Sequence, residues 1–300
     1  MKKLTVFALA AFAAAATFAQ SGNLRYSIMV NKFENKAGWN GRWDLGNAWG
    51  EILTDQLVQS GRFIVLGEAD MRGAALQEQD FAASGRTAGG KKAPKMGRMT
   101  PAQLLVKGAI THVEENKKGA GGGFSFKSIT IGADTGSAEI NVTIYVVDSA
   151  TGQVKGSKSI VGKSGKRGLT LGYHGSALGG LTGDLGGFDK DNVGLATTDA
   201  INQAMEYIIS QLESIPWEGS VSLVKPDKLI INRGSREGVA VGMRFDIGNV
   251  EELVDEDTGE VLDSEMTKIG TVTVTEVKEK IAYTTPLEGA EKGMGVHPAK

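Results

Sequence analysis

Between residues 119 and 194 the chain carries 19 glycines in 76 positions, a quarter of the stretch. The whole sequence has 42 glycines in 300 residues but only 6 prolines, and glycine without proline argues for tight turns and close backbone rather than a disordered linker. Inside this stretch lies a run of opposite character. Over residues 138–147, Ile140, Val142, Ile144 and Val146 alternate with Glu139, Asn141 and Thr143, which predicts a strand with one buried and one polar face. Glycine-rich insertions at 119–136 and 157–191 therefore flank a well-patterned strand. In the first insertion, Phe124, Phe126, Ile129 and Ile131 lead to a glycine turn at 132–136. In the second, Leu169, Leu171 and Tyr173 follow a period of two. Both read as β-hairpins. One reading puts them in a membrane barrel, with one lipid and one aqueous face over spans of about 9–11 residues. The other has them soluble and packed on neighbouring subunits. Either way their open edges require partners, and subunit association is expected.

The rest of the first 216 residues alternates strand and helix. Residues 24–32 read as a strand, followed by a loop over 31–46 containing Trp39 and Trp43. A helix then carries Trp49, Ile52, Leu53 and Leu57 inward, with Asn47 as the expected N-cap and Gly61 as its left-handed terminator. A buried strand over 63–66 precedes a second helix over 68–79, with Met71, Ala75 and Leu76 inward. A loop at 84–98 holds five bases (Arg86, Lys91, Lys92, Lys95, Arg98) and no acid. Strands over 104–115 and 153–161 and a long helix capped by Asn192, with Leu195, Ala200, Ala204, Ile208 and Leu212 inward and Pro216 ending it, complete an α/β (α+β) domain over 20–216. From Glu218 onward the composition shifts to 16 acids and 10 bases. Short β-branched runs at 220–224, 229–232, 243–248, 269–277 and 281–285 predict a small all-β, barrel-like domain over 217–300.

At the start of the chain, Lys2 and Lys3 precede an alanine-rich apolar run over 4–18 that ends at Ala19 before Gln20. This is the pattern of a secretory signal over 1–19, and a spanning helix would need about 20 apolar residues. Export is expected. There is no cysteine, which excludes disulfides, thiolate metal sites, cysteine nucleophiles and a lipid anchor through an N-terminal cysteine.

No constellation of residues supports catalysis. His112, His174 and His297 lie in different segments without a metal-binding spacing. Gly162, Lys163 and Ser164 end like a phosphate-binding loop, but Ser157 stands where the first glycine is needed. Gly85, Gly90 and Lys91 have the spacing, yet Lys92 replaces the hydroxyl that would hold magnesium. Eight acids without a base (Glu251, Glu252, Asp255, Glu256, Asp257, Glu260, Asp263, Glu265) fall in 251–265. Asp255, Asp257 and Glu260 have the chemistry for calcium, but the EF-hand spacing is absent and Asp257, Thr258, Gly259 is turn chemistry, so a solvated hairpin tip is expected. With 33 bases against 35 acids, nucleic acid is not an expected partner, and no cofactor or metal is expected.

The order of the loop at 35–46, the helix to Gly61, SGRFIVLGE at 60–68, LVKGAITHVEE at 105–115, TIGADTGSAEINVTIYVVDSATGQV at 130–154 and the closing helix resembles the curli secretion-channel (CsgG-like) family over about 24–215. The resemblance implies a periplasmic α/β domain whose protomers form a ring. Each would give two hairpins to one outer-membrane barrel for secreted or assembled protein partners, and the loop carrying Trp39, Asn40 and Trp43 would constrict the pore. Both tryptophans have the alternative of anchoring that loop against their own domain. That family's lipid anchor has no cysteine to carry it here. The tail, with INRGSREGVAVGMRFDIG at 231–248 and DEDTGEVLDSEMTKIGTVTV at 255–274, is similar to the C-terminal domain of flagellar assembly T proteins, a periplasmic structural family. The resulting expectation is an outer-membrane-associated, oligomeric, non-enzymatic secretion or assembly channel component. Its rival is a soluble periplasmic scaffold or adaptor of a cell-surface machine.

Overall fold

A computed structural model of the chain describes residues 24–116, 137–164 and 191–299, apart from positions 42, 92, 213 and 214. The chain divides into two compact units, one over Tyr26–Pro216 and one over Trp217–Lys300 that also takes in Leu24 and Arg25. The expected signal over 1–19 and the turn at 132–136 lie outside the described residues.

In the first unit, β1 (Tyr26–Val30), β2 (Glu34–Asn35), α1 (Leu45–Ser60), β3 (Phe63–Leu66), α2 (Ala69–Ala83), β4 (Leu104–Asn116), β5 (Ser137–Asp148), β6 (Val154–Lys163) and α3 (Asn192–Gln211) follow in sequence. The sheet order is β3-β1-β4-β5-β6, with β2 also on β4. β1 is parallel to β3 and β4, whereas β4, β5 and β6 run antiparallel. The alternation of β5 is realised in full: Ile140, Val142, Ile144 and Val146 are all buried, and α3 packs on β5 and β6 over this face. On α3, Ala196, Ala200, Ala204 and Ile208 are buried at helical spacing.

Several local expectations are corrected. Asp44, not Asn47, caps α1: its carboxylate accepts the N–H groups of Gly46 and Asn47 at 3.1 and 3.2 Å, and Gly61 closes the helix at φ +62°. Asp191, not Asn192, caps α3. Leu195 is 38% exposed, its inward place taken by Val193 and Ala196. Met71 and Leu76 are exposed rather than inward, and α2 buries no residue. The cause is spacing. Met71, Leu76 and Phe81 recur every five residues, so each is turned about 140° from the last and the three never form one stripe. Arg72 fastens this helix instead, donating to the Thr100 carbonyl at 3.1 Å.

In the second unit, β7 (Gly219–Lys225), β8 (Lys228–Ile231), β9 (Arg244–Val254), β10 (Val261–Val277), β11 (Ala282–Thr284) and β12 (Gly295–Pro298) close on themselves in the order β10-β11-β8-β7-β12-β9. Val221, Leu229, Ile231, Phe245, Ile247, Val272, Val274 and Val296 fill its interior, and Trp217 stacks on Phe245 with ring centroids 5.2 Å apart. The turn at Ser235–Glu237 is fixed by Glu237, whose buried carboxylate accepts the Gly234 N–H at 2.9 Å. Gly238 and Gly242 take φ +86° and +88°, where a side chain would be strained.

Candidate functional site: the insertion roots and the 31–44 loop

The β4–β5 ladder runs without interruption to its last pair, Asn116 with Ser137, after a bulge that inserts Thr111 between the Ile110 and His112 pairings. At the same end, Glu139 pairs with Lys163 across β5 and β6. The Ser164 N–H donates to the Ala138 carbonyl at 3.0 Å, and the Ala138 N–H donates back to Ser164 Oγ at 2.9 Å. The first turns of α3 are laid against the end of β6. Gly162 lies so close to the Ala196 carbonyl and to Ala200 that any side chain there would collide with them. Asp199, largely buried, accepts the Lys163 N–H at 3.0 Å and the Gln203 amide at 3.1 Å. The segments 117–136 and 165–190 are thus both attached at one end of the antiparallel strands β4, β5 and β6 of the six-stranded sheet. Polar side chains rim that end. Lys163 and Glu139 form an ion pair at 2.9 Å, and Asn116 donates to Glu114 at 3.1 Å.

The 31–44 loop follows β4 toward the same end. The Asn31 N–H donates to the Val106 carbonyl and the Lys36 N–H to the Ile110 carbonyl, both at 2.9 Å, while Glu34 and Asn35 pair in parallel with Ala109 and Ile110. Phe33 pins this path. Its ring stacks on Trp49 at 4.9 Å and lies over Gly108, where a Cβ would run into it. Beyond it the Asn35 amide folds the tip, donating to the Trp39 carbonyl at 2.7 Å and accepting the Trp39 N–H at 3.2 Å, with Gly38 at φ +66°.

The three constriction candidates therefore differ. Trp43 is buried, Asn40 is exposed, and Trp39 is half-buried with its indole across Gly41 and its Nε1 covered without an acceptor. Phe124, Phe126, Ile129, Ile131, Leu169, Leu171 and Tyr173 lie outside the described residues. His112 is exposed on β4, 3.9 Å from Glu114, and His297 belongs to the other unit, on β12. The near-match to a phosphate loop at Gly162–Lys163–Ser164 is the end of β6, and its glycine serves the close approach of α3. Sequence reading missed Gly162 and Gly108 as approach points and Asn35 as the clamp of the loop. The only signal was small or polar residues at positions where the pattern called for bulk. At the tip between β9 and β10, Asp255 accepts the N–H of Asp257 at 2.8 Å and of Thr258 at 3.4 Å, and these bonds hold its carboxyl below the usual range. Gly259 turns at φ +74°. This is a tight turn built from the acids themselves.

Among solved structures, the chain is similar to the hypothetical protein CT253 from Chlamydia trachomatis, with 12% identity and a TM-score of 0.38 over 64% of this chain and 99% of that one. It is also similar to the PelC dodecamer from Paraburkholderia phytofirmans (18% identity, TM-score 0.25, 46% of this chain and 70% of that one). A third is the lipoprotein GNA1162 from Neisseria meningitidis (15%, 0.26, 63% and 99%). Comparison with curated proteins finds no significant match. The model of the family described as curli production assembly/transport component CsgG matches residues 10–228, which takes in the sheet, both insertion roots and the 31–44 loop. On that match, the chain belongs to the CsgG family.

Proposed function

We propose that the chain is a non-enzymatic component of a curli-type secretion or assembly machine at the outer membrane, exported by its first 19 residues and active as a homo-oligomeric ring. In this reading the two glycine-rich insertions are hairpins contributed by each protomer to a shared barrel, and the 31–44 loop narrows the pore. One observation carries it. Both insertions are rooted at the same end of the antiparallel strands β4, β5 and β6, where Asn116 pairs with Ser137 and Glu139 with Lys163, so two hairpins from one protomer would leave the domain from one end. Their period-two apolar residues suit a lipid face. Since Trp43 is buried, the constriction falls to Trp39 and Asn40, with Trp43 holding the loop in place.

The test is extraction and imaging of the intact assembly. A barrel contributor stays in membranes washed with carbonate and high salt, and in detergent shows a ring with a membrane-thick band. A chain that washes off as a ring without such a band is instead a soluble periplasmic scaffold. That second reading draws on the closed β unit after residue 217, whose sequence resembles a flagellar-assembly domain.

A further inference from the structure

Beyond Gly248, β9 loses β12 as a neighbour, and residues 249–254 and 261–267 continue as a two-stranded ribbon with no third strand among the described residues. A ribbon of this kind is marginal by itself and open along both edges. Its side chains make it more so. Glu251 and Glu265 stand directly opposite each other in the register, a like-charge pairing that destabilises a ladder. Leu253 and Leu262 are 62% and 59% exposed, so acids and apolar side chains share one projecting element. Surfaces of this composition are covered in a working assembly. The opposite surface is on the same chain. The segment 84–98 holds five bases and no acid, and Arg86, Lys91, Lys95 and Arg98 are all exposed.

We infer that the acidic ribbon of one copy of this chain docks on the basic segment 84–98 of a second copy. A ring of identical subunits is closed by heterologous contacts, in which two different patches of each subunit meet, and these two patches are matched in sign. The inference rests on the ring of the proposed function. Charge complementarity of this kind steers association and fixes register, with the exposed Leu253 and Leu262 covered once the contact forms.

The experiment uses the full chain in detergent, with oligomeric state followed by sedimentation. Lys91→Glu with Lys95→Glu should weaken association by about tenfold or more. Glu251→Lys with Glu265→Lys should do the same, and the four changes together should restore most of it. All four side chains are exposed, so unchanged melting is expected of each variant. Carbodiimide cross-linking of a mixture of isotopically light and heavy protein supplies the second readout, since a contact between copies gives mixed-label cross-links between Lys91 or Lys95 and the ribbon acids. If the wild type assembles and neither reversal matters, or cross-links never mix labels, the docking is overturned while the ring stands. A wild type that stays monomeric overturns both.

Discussion

Trp39 and Trp43 stand four residues apart in one loop, yet only Trp43 is in the core, at 7% exposure. Trp43→Ala should therefore cost roughly 3–5 kcal/mol, whereas Trp39→Ala, from a half-buried site, should cost about 1–2 kcal/mol. In planar bilayers Trp39→Ala should raise the single-channel current. Equal losses of stability with unchanged current would make Trp39 a second anchor. Nothing in the sequence separates the two tryptophans, because what separates them is the Asn35 clamp and the Phe33 ring seated over Gly108. Glu68 makes a second case. Burial raises its carboxyl pKa, with Asp70 and Glu51 adding like charge and Lys32 opposing. A raised folded value means the neutral acid suits the fold, so the group's contribution is fully present below the ordinary glutamate pKa of about 4.3 and is lost as pH climbs through the folded value. Glu68→Gln should accordingly be more stable than wild type at about pH 7.5, and urea titrations should show that gap closing below about pH 4. A gap independent of pH would mean the carboxylate is not the cause.

At the scale of elements, β5 was the most legible piece of the chain, because an antiparallel strand covered on one face must alternate, and it is the piece most sensitive to charge. Val142 and Ile144 are 1% and 0% exposed, so Val142→Asp and Ile144→Asp should each bury an unpaired carboxylate and unfold the first unit, seen as loss of the cooperative melt. Helix starts were less legible. Asp44 with Asn47, and Asp191 with Asn192, offer the same capping chemistry a few residues apart, and packing of the next turn makes the choice. For α2 the sequence held no stripe to read. Gly162 was legible only as part of a glycine-rich tract, although it lies against the backbone of α3 at Ala196 and Ala200. Gly162→Ala should cost about 1–3 kcal/mol by forcing α3 off β6, and hydrogen exchange should locate the loosening in α3. An alanine there that leaves both melting and exchange unchanged would remove the close-approach argument.

Across the whole molecule, the division near residue 217 was written in charge, since the first 217 residues carry net +4 and the remainder −6. The common root of the two insertions was not, because it depends on register between strands far apart in sequence. The bulge at Thr111 shifts that register by one residue before it reaches Asn116 and Ser137. This root makes a specific prediction. Asn116 and Ser137 are already paired, and Ser164 is tied to Ala138 on β5, so neither connection depends on what lies beyond it. Replacing 117–136 and 165–190 by short glycine–serine turns should leave a protein with the wild-type sheet and a melting temperature within a few degrees, because loop length changes stability slowly. The same protein should wash out of membranes in carbonate, where the intact chain is retained. If the shortened chain is retained as firmly as the intact one, the membrane contact lies elsewhere in the molecule. If the shortened chain fails to fold, the insertions belong to the core of the unit and not to a barrel shared between copies.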